Sequence, residues 1–316
     1  MSVYTTLTLK EVQDFALPYG LKVIDLIPIQ GGIQNTNYFI INHDQQHYVL
    51  TIFEDMDQHS AEEIIPVLRH LAQQDLPVAV PLEYANQAIH CLKEKPAQIA
   101  PRLIGSHPIP ANIEQVEAIA TAQATMHIAL QHFPLQRQSC RNHHYWQQVA
   151  NELKPNLNPA DKALLSELFG LYDVFTAIYP DRPTGFIHAD LFRDNTLFQG
   201  AKLQGILDFY ELNHDELLFD IAITINDFCT DYPHMHLDKA KANAFLEAYH
   251  QLRPLTLDEK ACVELYLAMA AGRFWLMRLQ VAEKNKIEGR CGGDILQKDP
   301  FEMRNMLIER LKFVTA

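Results

Sequence analysis

The sequence predicts an α+β protein of two lobes, a small antiparallel β-sheet with one or two helices followed by a larger, mainly helical part. Three observations carry this expectation. Strand-like apolar runs at 23–29, 38–41, 47–53, 88–92 and 97–101 are divided by turn residues, with one substantial helical pattern among them. From Asn112 onward, long segments with apolar positions at helical spacing take over. Among those helices a single stretch, Gly185 to Asp220, reads as short strands around a polar loop.

The chain opens with Thr8-Leu9-Lys10-Glu11, a capping box that starts a short helix, which Pro18 and Gly20 end. Two strands, 23–29 and 38–41, flank a glycine-bearing hairpin loop, Gly31-Gly32-Ile33-Gln34-Asn35-Thr36-Asn37, and a third strand covers 47–53. Ser60-Ala61-Glu62-Glu63 is a second capping box, opening a helix whose Ile64, Ile65, Leu68 and Leu71 share one face and pack on the sheet. The strands at 88–92 and 97–101 complete the sheet, and residues 99–103 are read as a hinge, with one lobe over 1–101 and the other over 102–316.

In the second lobe helices are expected at 112–131, 144–153, 159–178, 215–228, 238–251, 258–283 and 300–314. Asp299-Pro300-Phe301-Glu302 gives the last one a cap, a proline at its first position and an acid in its first turn. Within the central stretch, Phe186 and Ile187 deliver His188 and Asp190 to a polar loop that returns through Asn195-Thr196-Leu197-Phe198. A turn at Gln199-Gly200-Ala201-Lys202 leads to a strand at 203–207, and then to Asp208-Phe209-Tyr210.

With 316 residues and 48% hydrophobic content, the chain has enough apolar mass for two lobes. Its net charge of −13 disfavours nucleic acid or an anionic membrane as the main partner, because either requires a basic face. The five cysteines (Cys91, Cys140, Cys229, Cys262, Cys291) are scattered and never in CxxC spacing, which fits reduced thiols and a cytoplasmic location. No basic-then-apolar segment opens the sequence, so no signal peptide is expected. The apolar run 261–279, interrupted by Glu264 and Arg273, reads as a buried helix and not a membrane span. Fifteen histidines include the pairs His143-His144, His234/His236 and His43/His47, but none sits in a zinc-ligand frame, and they are read as solvated.

The central stretch carries the chemistry. Asp190 and Asn195 are five positions apart and Asp208 follows Asp190 by eighteen, at strand ends around one hairpin. Phosphoryl transfer to a hydroxyl needs one carboxylate to orient the attacking group and accept its proton. It also needs a second carboxylate and an amide oxygen to hold Mg²⁺ against nucleotide phosphates. Asp190 suits the first role, Asp208 and Asn195 the second. Their order resembles the kinase signature H-x-D-x-x-x-x-N followed by D-F-G, and the form HADLFRDN then LDFY resembles the aminoglycoside phosphotransferase and choline kinase branch. Tyr210 stands where protein kinases have glycine, which argues against a protein kinase more than against a kinase.

That resemblance implies a two-lobed protein-kinase-like fold, the larger lobe carrying the catalytic loop. It implies His188 as a brace of that loop, and Gly31, Gly32, Asn35 and Thr36 as a loop laid over ATP phosphates. Ile99, at the hinge, is a further nucleotide contact. Asp220 is either the acid that bonds the catalytic loop from the next helix or an ordinary first-turn charge. Thr51 stands where kinases carry a strand lysine, and Lys93, Lys95 or Arg102 would compensate for it.

A narrower resemblance runs along the whole chain. NTNYF after the glycine loop, YVLTIFE with threonine for lysine, PRLIGSHP, IHADLFRDNTLF, GILDFYELNHDELLFDIAITINDFC, GRFWLMRL and KDPFEMRNML together resemble the homoserine kinases of the aminoglycoside phosphotransferase-like superfamily. These are unrelated to the homoserine kinases of the GHMP class. The resemblance implies ATP and Mg²⁺ as cofactors and L-homoserine as acceptor, in threonine biosynthesis. Asp190 would be the base and Asn195 and Asp208 the metal ligands. A zwitterionic acceptor needs a cation for its carboxylate and an acceptor for its ammonium. Arg273 is the candidate for the carboxylate, unless it pairs with an acid in the core. Arg193, Asp194 and Asp215 are candidates for phosphate or ammonium. Competing readings are a sister kinase acting on choline, methylthioribose or an aminoglycoside, and a nucleotide-binding pseudoenzyme acting through a partner.

Overall fold

Thr8 caps the first helix as its spacing predicts: its hydroxyl accepts from the Glu11 N–H while the Glu11 carboxylate accepts from the Thr8 N–H at 2.8 Å. In this computed structural model, which describes residues 5–29, 35–135, 141–287 and 298–314, that helix is α1, Leu9–Ala16. A 3₁₀ turn with Pro18 and a left-handed Gly20 ends it. Strands β1 (Val23–Pro28), β2 (Asn35–Asn42) and β3 (His47–Phe53) follow, then α2 (Gln58–Glu62), α3 (Ile64–Gln73), β4 (His90–Leu92) and β5 (Lys95–Pro101). The five strands form one antiparallel sheet in the order β1-β2-β3-β5-β4. The register sets Tyr38 opposite Leu50, Leu50 opposite Ile99 and Ile52 opposite Ala97. Because strand side chains alternate, these residues share a face, and on it they pack with Val12 and Ala16 of α1.

Three sequence expectations change here. The second capping residue is Asp57, not Ser60: the Asp57 carboxylate accepts the Ser60 N–H at 2.8 Å, and the helix begins earlier. It then breaks at Glu63, because Pro66 has no N–H to offer the carbonyl four residues before it. Asn35 and Thr36 are not loop residues but the first pairs of β2, opposite Phe53 and Ile52. Residues 99–101 are not hinge. The strand runs on through Pro101, Ile99 is fully buried, and its carbonyl accepts the Leu82 N–H at 2.8 Å.

Among the described residues, those up to Ile104 make one compact unit and those from Gly105 onward the other. The second unit comprises α4 (Ile113–Leu130), α5 (His143–Leu153), α6 (Pro159–Ile178), β6 (Thr184–Ile187), β7 (Thr196–Gln199), β8 (Lys202–Ile206), β9 (Asn213–Glu216), α7 (Leu217–Phe228), β10 (Thr230–Asp231), β11 (His236–Leu237), α8 (Lys239–Leu252), α9 (Leu257–Ile287) and α10 (Pro300–Leu311). The mixed α+β architecture expected from the sequence is present. Two elements differ. Residues 213–216 form β9, paired with β6, so the helix expected from 215 starts at Leu217 instead. Its first residues are drawn into a strand because β6 has a free edge there.

Helix α9 is the spine of this unit, packed by α10, α7, α6 and α5. Its middle, from Leu265 to Leu276, is buried on every side, which is why its apolar pattern has no single face. Among the described residues no helix is long and apolar enough to cross a membrane. Cys229 and Cys262 are buried free thiols and Cys91 an exposed one.

Gly105 holds the β7–β8 hairpin to the segment before α4. Its φ is 154°, and a Cβ there would lie 3.0 Å from the Leu197 Cβ and from the Phe198 backbone N and O, where Ser106 and Phe198 exchange hydrogen bonds. Gly105→Ala therefore lowers stability by about 1–3 kcal/mol, and thermal unfolding reads this as a reduced Tm; an unchanged Tm would refute the close approach.

Candidate active site

The site is assembled where β6 ends. After Ile187 the chain makes a sharp reversal: Ala189 takes a left-handed conformation, φ 67°, unfavourable for any residue with a Cβ. What holds it is a buried carboxylate. Asp220, in the first turn of α7, accepts the N–H groups of His188 at 3.2 Å and Ala189 at 2.7 Å. It also accepts from Gln123 Nε2 at 2.8 Å and lies 3.0 Å from His127 Nε2, whose other ring nitrogen meets the Tyr249 hydroxyl at 2.7 Å. Burial opposes the charge on Asp220, but His127 and its other partners outweigh this and hold the carboxyl below its ordinary range.

His188 is fully buried, and burial keeps its imidazole neutral. Its Nδ1 accepts the Asp190 N–H at 3.3 Å, so Nε2 carries the proton and donates to the Leu207 carbonyl at 2.9 Å. Leu207 in turn donates its N–H to the Asn195 carbonyl at 2.8 Å. The imidazole and the Asn195 backbone thus clasp the residue before Asp208 and bring both loops together. Asn195 donates its side-chain amide to the Asp190 carbonyl at 2.8 Å and to Asp190 Oδ2 at 2.9 Å, which leaves the amide oxygen for another partner.

Two carboxylates are gathered here, and among the described residues neither has an ion-pair partner, Lys298 acting on Asp190 only from beyond its own pair with Asp194. Asp190 is raised well above its ordinary value, first by burial and then by the charges of Asp208 and Asp194. Asp208 is raised from 3.8 to about 6 by burial and by Glu211. It sits in a left-handed conformation, φ 61°, and its Oδ1 is buried with no hydrogen-bond partner among the described residues. Two buried carboxylates, an orphaned carboxylate oxygen and an uncommitted amide oxygen make a donor set for a hard divalent cation, which takes one or two carboxylates and completes its shell with phosphates and water. No described group of three or more His, Cys, Asp or Glu offers an alternative metal site.

The remaining candidates fall elsewhere. Arg193 does not reach into solvent: its backbone N–H at 2.6 Å and its Nε at 2.9 Å both go to Asp227 Oδ2, seven residues after Asp220 on α7. Asp194 pairs with Lys298 at 3.1 Å. Arg273 and Asp215 meet at 3.5 Å between Nη1 and Oδ2, beside a cavity lined by His143, Trp146, Tyr172, Phe219 and Met269. Burial lowers Arg273 and raises Asp215, each more than the partner's charge restores, so this pair is under-compensated.

In the first unit, Gly31 and Gly32 lie outside the described residues. The Thr36 hydroxyl donates to Glu54 at 2.6 Å and accepts the Thr5 N–H. Asn35 is nearly buried at the start of β2. The Thr51 hydroxyl donates to Asn37 Oδ1 at 2.7 Å. Each basic side chain that would compensate for Thr51 is engaged: Lys93 with Glu11, Lys95 with Glu54, and Arg102 over the Phe39 ring at 3.9 Å.

Sequence reasoning missed Asp227, whose seven-residue spacing from Asp220 puts it on the same helical face, and Lys298, which opens the KDPFEMRNML stretch. It also misplaced His143. That imidazole is not solvated: it stacks on Tyr172 with ring centroids 3.8 Å apart, and neither ring nitrogen has a hydrogen-bond partner among the described residues.

A family model described as the phosphotransferase enzyme family matches residues 25–255. The chain belongs to this family. Curated relatives include the homoserine kinase of Janthinobacterium sp. (strain Marseille), 36% identical over 283 residues, which are 88% of this chain and 88% of that protein. The homoserine kinase of Methylobacillus flagellatus is 39% identical over 287 residues, 88% of this chain and 87% of the relative. The family member described here is thus a kinase with homoserine kinases among its relatives. Solved structures of the same fold include a microcompartment-associated aminopropanol kinase (TM-score 0.71, 14% identity, 96% of this chain and 94% of that one) and an amicoumacin kinase (TM-score 0.69, 14% identity, 95% and 91%). The kinase-like fold expected from the sequence is present.

The raised Asp208 carries a stability consequence in the absence of metal and nucleotide. Folded Asp208 keeps its proton up to about pH 6, whereas an unfolded aspartate loses it near pH 4. The folded state binds more protons in that window, so stability falls as pH rises through it and stays reduced above. Asp208→Asn removes the penalty and raises stability at neutral pH by about 1–3 kcal/mol, a gain that vanishes by about pH 4. Calorimetric scans of both proteins across pH check this; an equal or lower Tm for the variant at neutral pH counts against it.

Proposed function

We propose that this kinase transfers the γ-phosphoryl group of ATP to the side-chain hydroxyl of L-homoserine, giving O-phospho-L-homoserine and ADP in threonine biosynthesis. The observation that carries the acceptor is the identity of 36–39% with homoserine kinases across 88% of the chain. The chemistry is supported by the cluster of Asp190, Asn195 and Asp208.

Asp190 orients the acceptor hydroxyl and takes its proton as the new P–O bond forms. Its raised proton affinity suits that role, and the Asn195 amide fixes its carboxylate. Asp208 Oδ1 and the Asn195 amide oxygen are the atoms that would hold Mg²⁺, which when bound supplies charge neutralisation for phosphate oxygens. His188 is a positioning residue, neutral and tied at both nitrogens, and takes no part in proton transfer. Arg193, held by Asp227, sets the course of the loop between Asp190 and Asn195 and leaves the substrate to other groups. The nucleotide is assigned to the glycine-bearing segment before β2 and to the polar positions that begin it. The setting proposed is the cytoplasm, consistent with free thiols at Cys91, Cys229 and Cys262.

ADP release from Mg-ATP tests this against L-homoserine, L-serine, choline, methylthioribose and kanamycin. Homoserine alone is expected to turn over at about 1–100 per second. Asp190→Asn is expected to lower kcat by a factor of about 10³ or more while Mg-ATP affinity stays at the wild-type level. Full turnover by Asp190→Asn would remove its role as base, and preference for another acceptor would remove homoserine.

A further inference from the structure

The cavity beside Arg273 has the features of a binding site that lacks its ligand groups. Arg273 sits on α9, its side chain 6% exposed, with Phe219 4.6 Å and Trp146 5.1 Å from its guanidinium carbon. Aromatic faces cover the guanidinium plane, so only its edge can meet a polar partner. On that edge Nη1 is buried and without a hydrogen bond, the Asp215 carboxylate being 3.5 Å away without bonding geometry. His143 lines the same cavity with both ring nitrogens unbonded, and its nearest acid, Asp173, is 3.6 Å away. Burial holds this imidazole neutral. Buried polar groups are nearly always satisfied, so donor and acceptor left open around one cavity call for a ligand carrying the complementary groups.

The walls are built to keep that arrangement. Glu216, next to Asp215, is fully used: it accepts from Arg182 at 3.0 Å, from the Tyr172 hydroxyl at 3.1 Å and from the Tyr266 hydroxyl. It therefore anchors the end of β9 and leaves Asp215 as the acid facing Arg273. Phe274, the neighbour of Arg273, packs edge-on against Phe192 of the catalytic loop at 4.8 Å between centroids. The pairing of β6 with β9 sets Asn213 opposite Ile187, three residues before Asp190, and Asp215 only two residues further along. Asp215 thus stands opposite Gly185, on the strand that leads into the catalytic loop.

We propose that this cavity is the head-group subsite for an α-amino acid: Arg273 binds the carboxylate, and Asp215 together with the open ring nitrogens of His143 accepts the ammonium protons. The assignment rests on the reading of the protein as a kinase of an amino-acid hydroxyl, and it names the groups that select such an acceptor. A quaternary ammonium would leave the Arg273 donor unpaired, and a polyamine sugar would find a cation where it needs acids. His143 is thus a specificity-determining residue, and the aromatic lining strengthens these contacts by excluding water.

The experiment compares L-homoserine with L-homoserinol, which lacks the carboxylate, and 4-hydroxybutanoate, which lacks the ammonium. It measures kcat/KM by ADP release and acceptor binding by calorimetry without nucleotide. Wild-type protein is expected to prefer L-homoserine over either analogue by roughly 100-fold. Arg273→Met, with Arg273→Lys as the variant that keeps charge and fold, is expected to erase the preference for the carboxylate by lowering homoserine turnover far more than homoserinol turnover. His143→Phe keeps the stack on Tyr172 and is expected to raise KM for ammonium-bearing acceptors roughly 10-fold, and His143→Gln to restore part of the loss. Equal wild-type turnover of all three compounds, or variants that slow all three by one common factor, would overturn the subsite while leaving the kinase reading intact. Homoserine that binds in an Arg273-dependent way without being phosphorylated would sink the kinase reading and keep the subsite. No calorimetric binding of homoserine would count against both.

Discussion

Everything in the second unit that touches chemistry hangs on the carboxylate of Asp220. It is a buried charge with four donors converging on it: two backbone N–H groups from the loop after β6, the Gln123 amide and His127. Removing a single partner from such a centre leaves a buried charge exposed to an unsatisfied environment, so the centre is held together more tightly than any one bond in it. The strain at Ala189 is tolerable because the carboxylate rewards it with two hydrogen bonds. From this point the order propagates outward through the His188 ring to Leu207, through Leu207 to Asn195, and so to both sides of the carboxylate cluster.

The same logic runs in reverse at Asp190 and Asp208. These acids gather with too few donors, and the fold supports them with distant compensation: the Asp220 centre, the Arg193–Asp227 clamp and the packed length of α9. Arg273 and Asp215 repeat the pattern, each displaced toward its neutral form because burial outweighs their mutual attraction. These four ionisable groups, Asp190, Asp208, Asp215 and Arg273, are the ones on which the proposed site draws.

Much of the fold was legible because it rests on local chemistry. Asp299 caps its helix as its spacing predicts, Asn112 turns out to be the cap of the helix expected from that point, and α6 begins at a proline after its Asn158 cap. The close association of His188, Asp190, Asn195 and Asp208 was legible for the same reason, since two short strand-to-loop transitions fix it. What escaped depended on long-range contact. Nothing local tells that Asp215 joins a strand, because β9 exists only by pairing with β6. Nor does anything local tell that Ile99 belongs to the strand alone and not to a hinge, because it is claimed by a sheet neighbour, Leu50, and by Leu82.

Arg193 and His143 make the sharpest contrast. In the sequence Arg193 is marked by its place in the loop between Asp190 and Asn195 and His143 by its polar neighbours, yet both are governed by residues far along the chain, Asp227 and Tyr172. A loop arginine, a candidate for phosphate or ammonium, has a carboxylate on α7. A histidine in a polar run, expected in solvent, has an aromatic stack on α6. The difference lies in whether the partner completes the side chain's hydrogen bonding. Asp227 takes the Arg193 backbone N–H and its guanidinium, so that arginine is spoken for; Tyr172 covers a face of His143 and leaves both nitrogens open. Burial by itself therefore does not separate structural from functional polar groups in this chain. The state of their hydrogen bonding differs: Arg193 and Asp220 have partners for their charged groups, whereas Arg273 Nη1 and Asp208 Oδ1 are buried without one among the described residues.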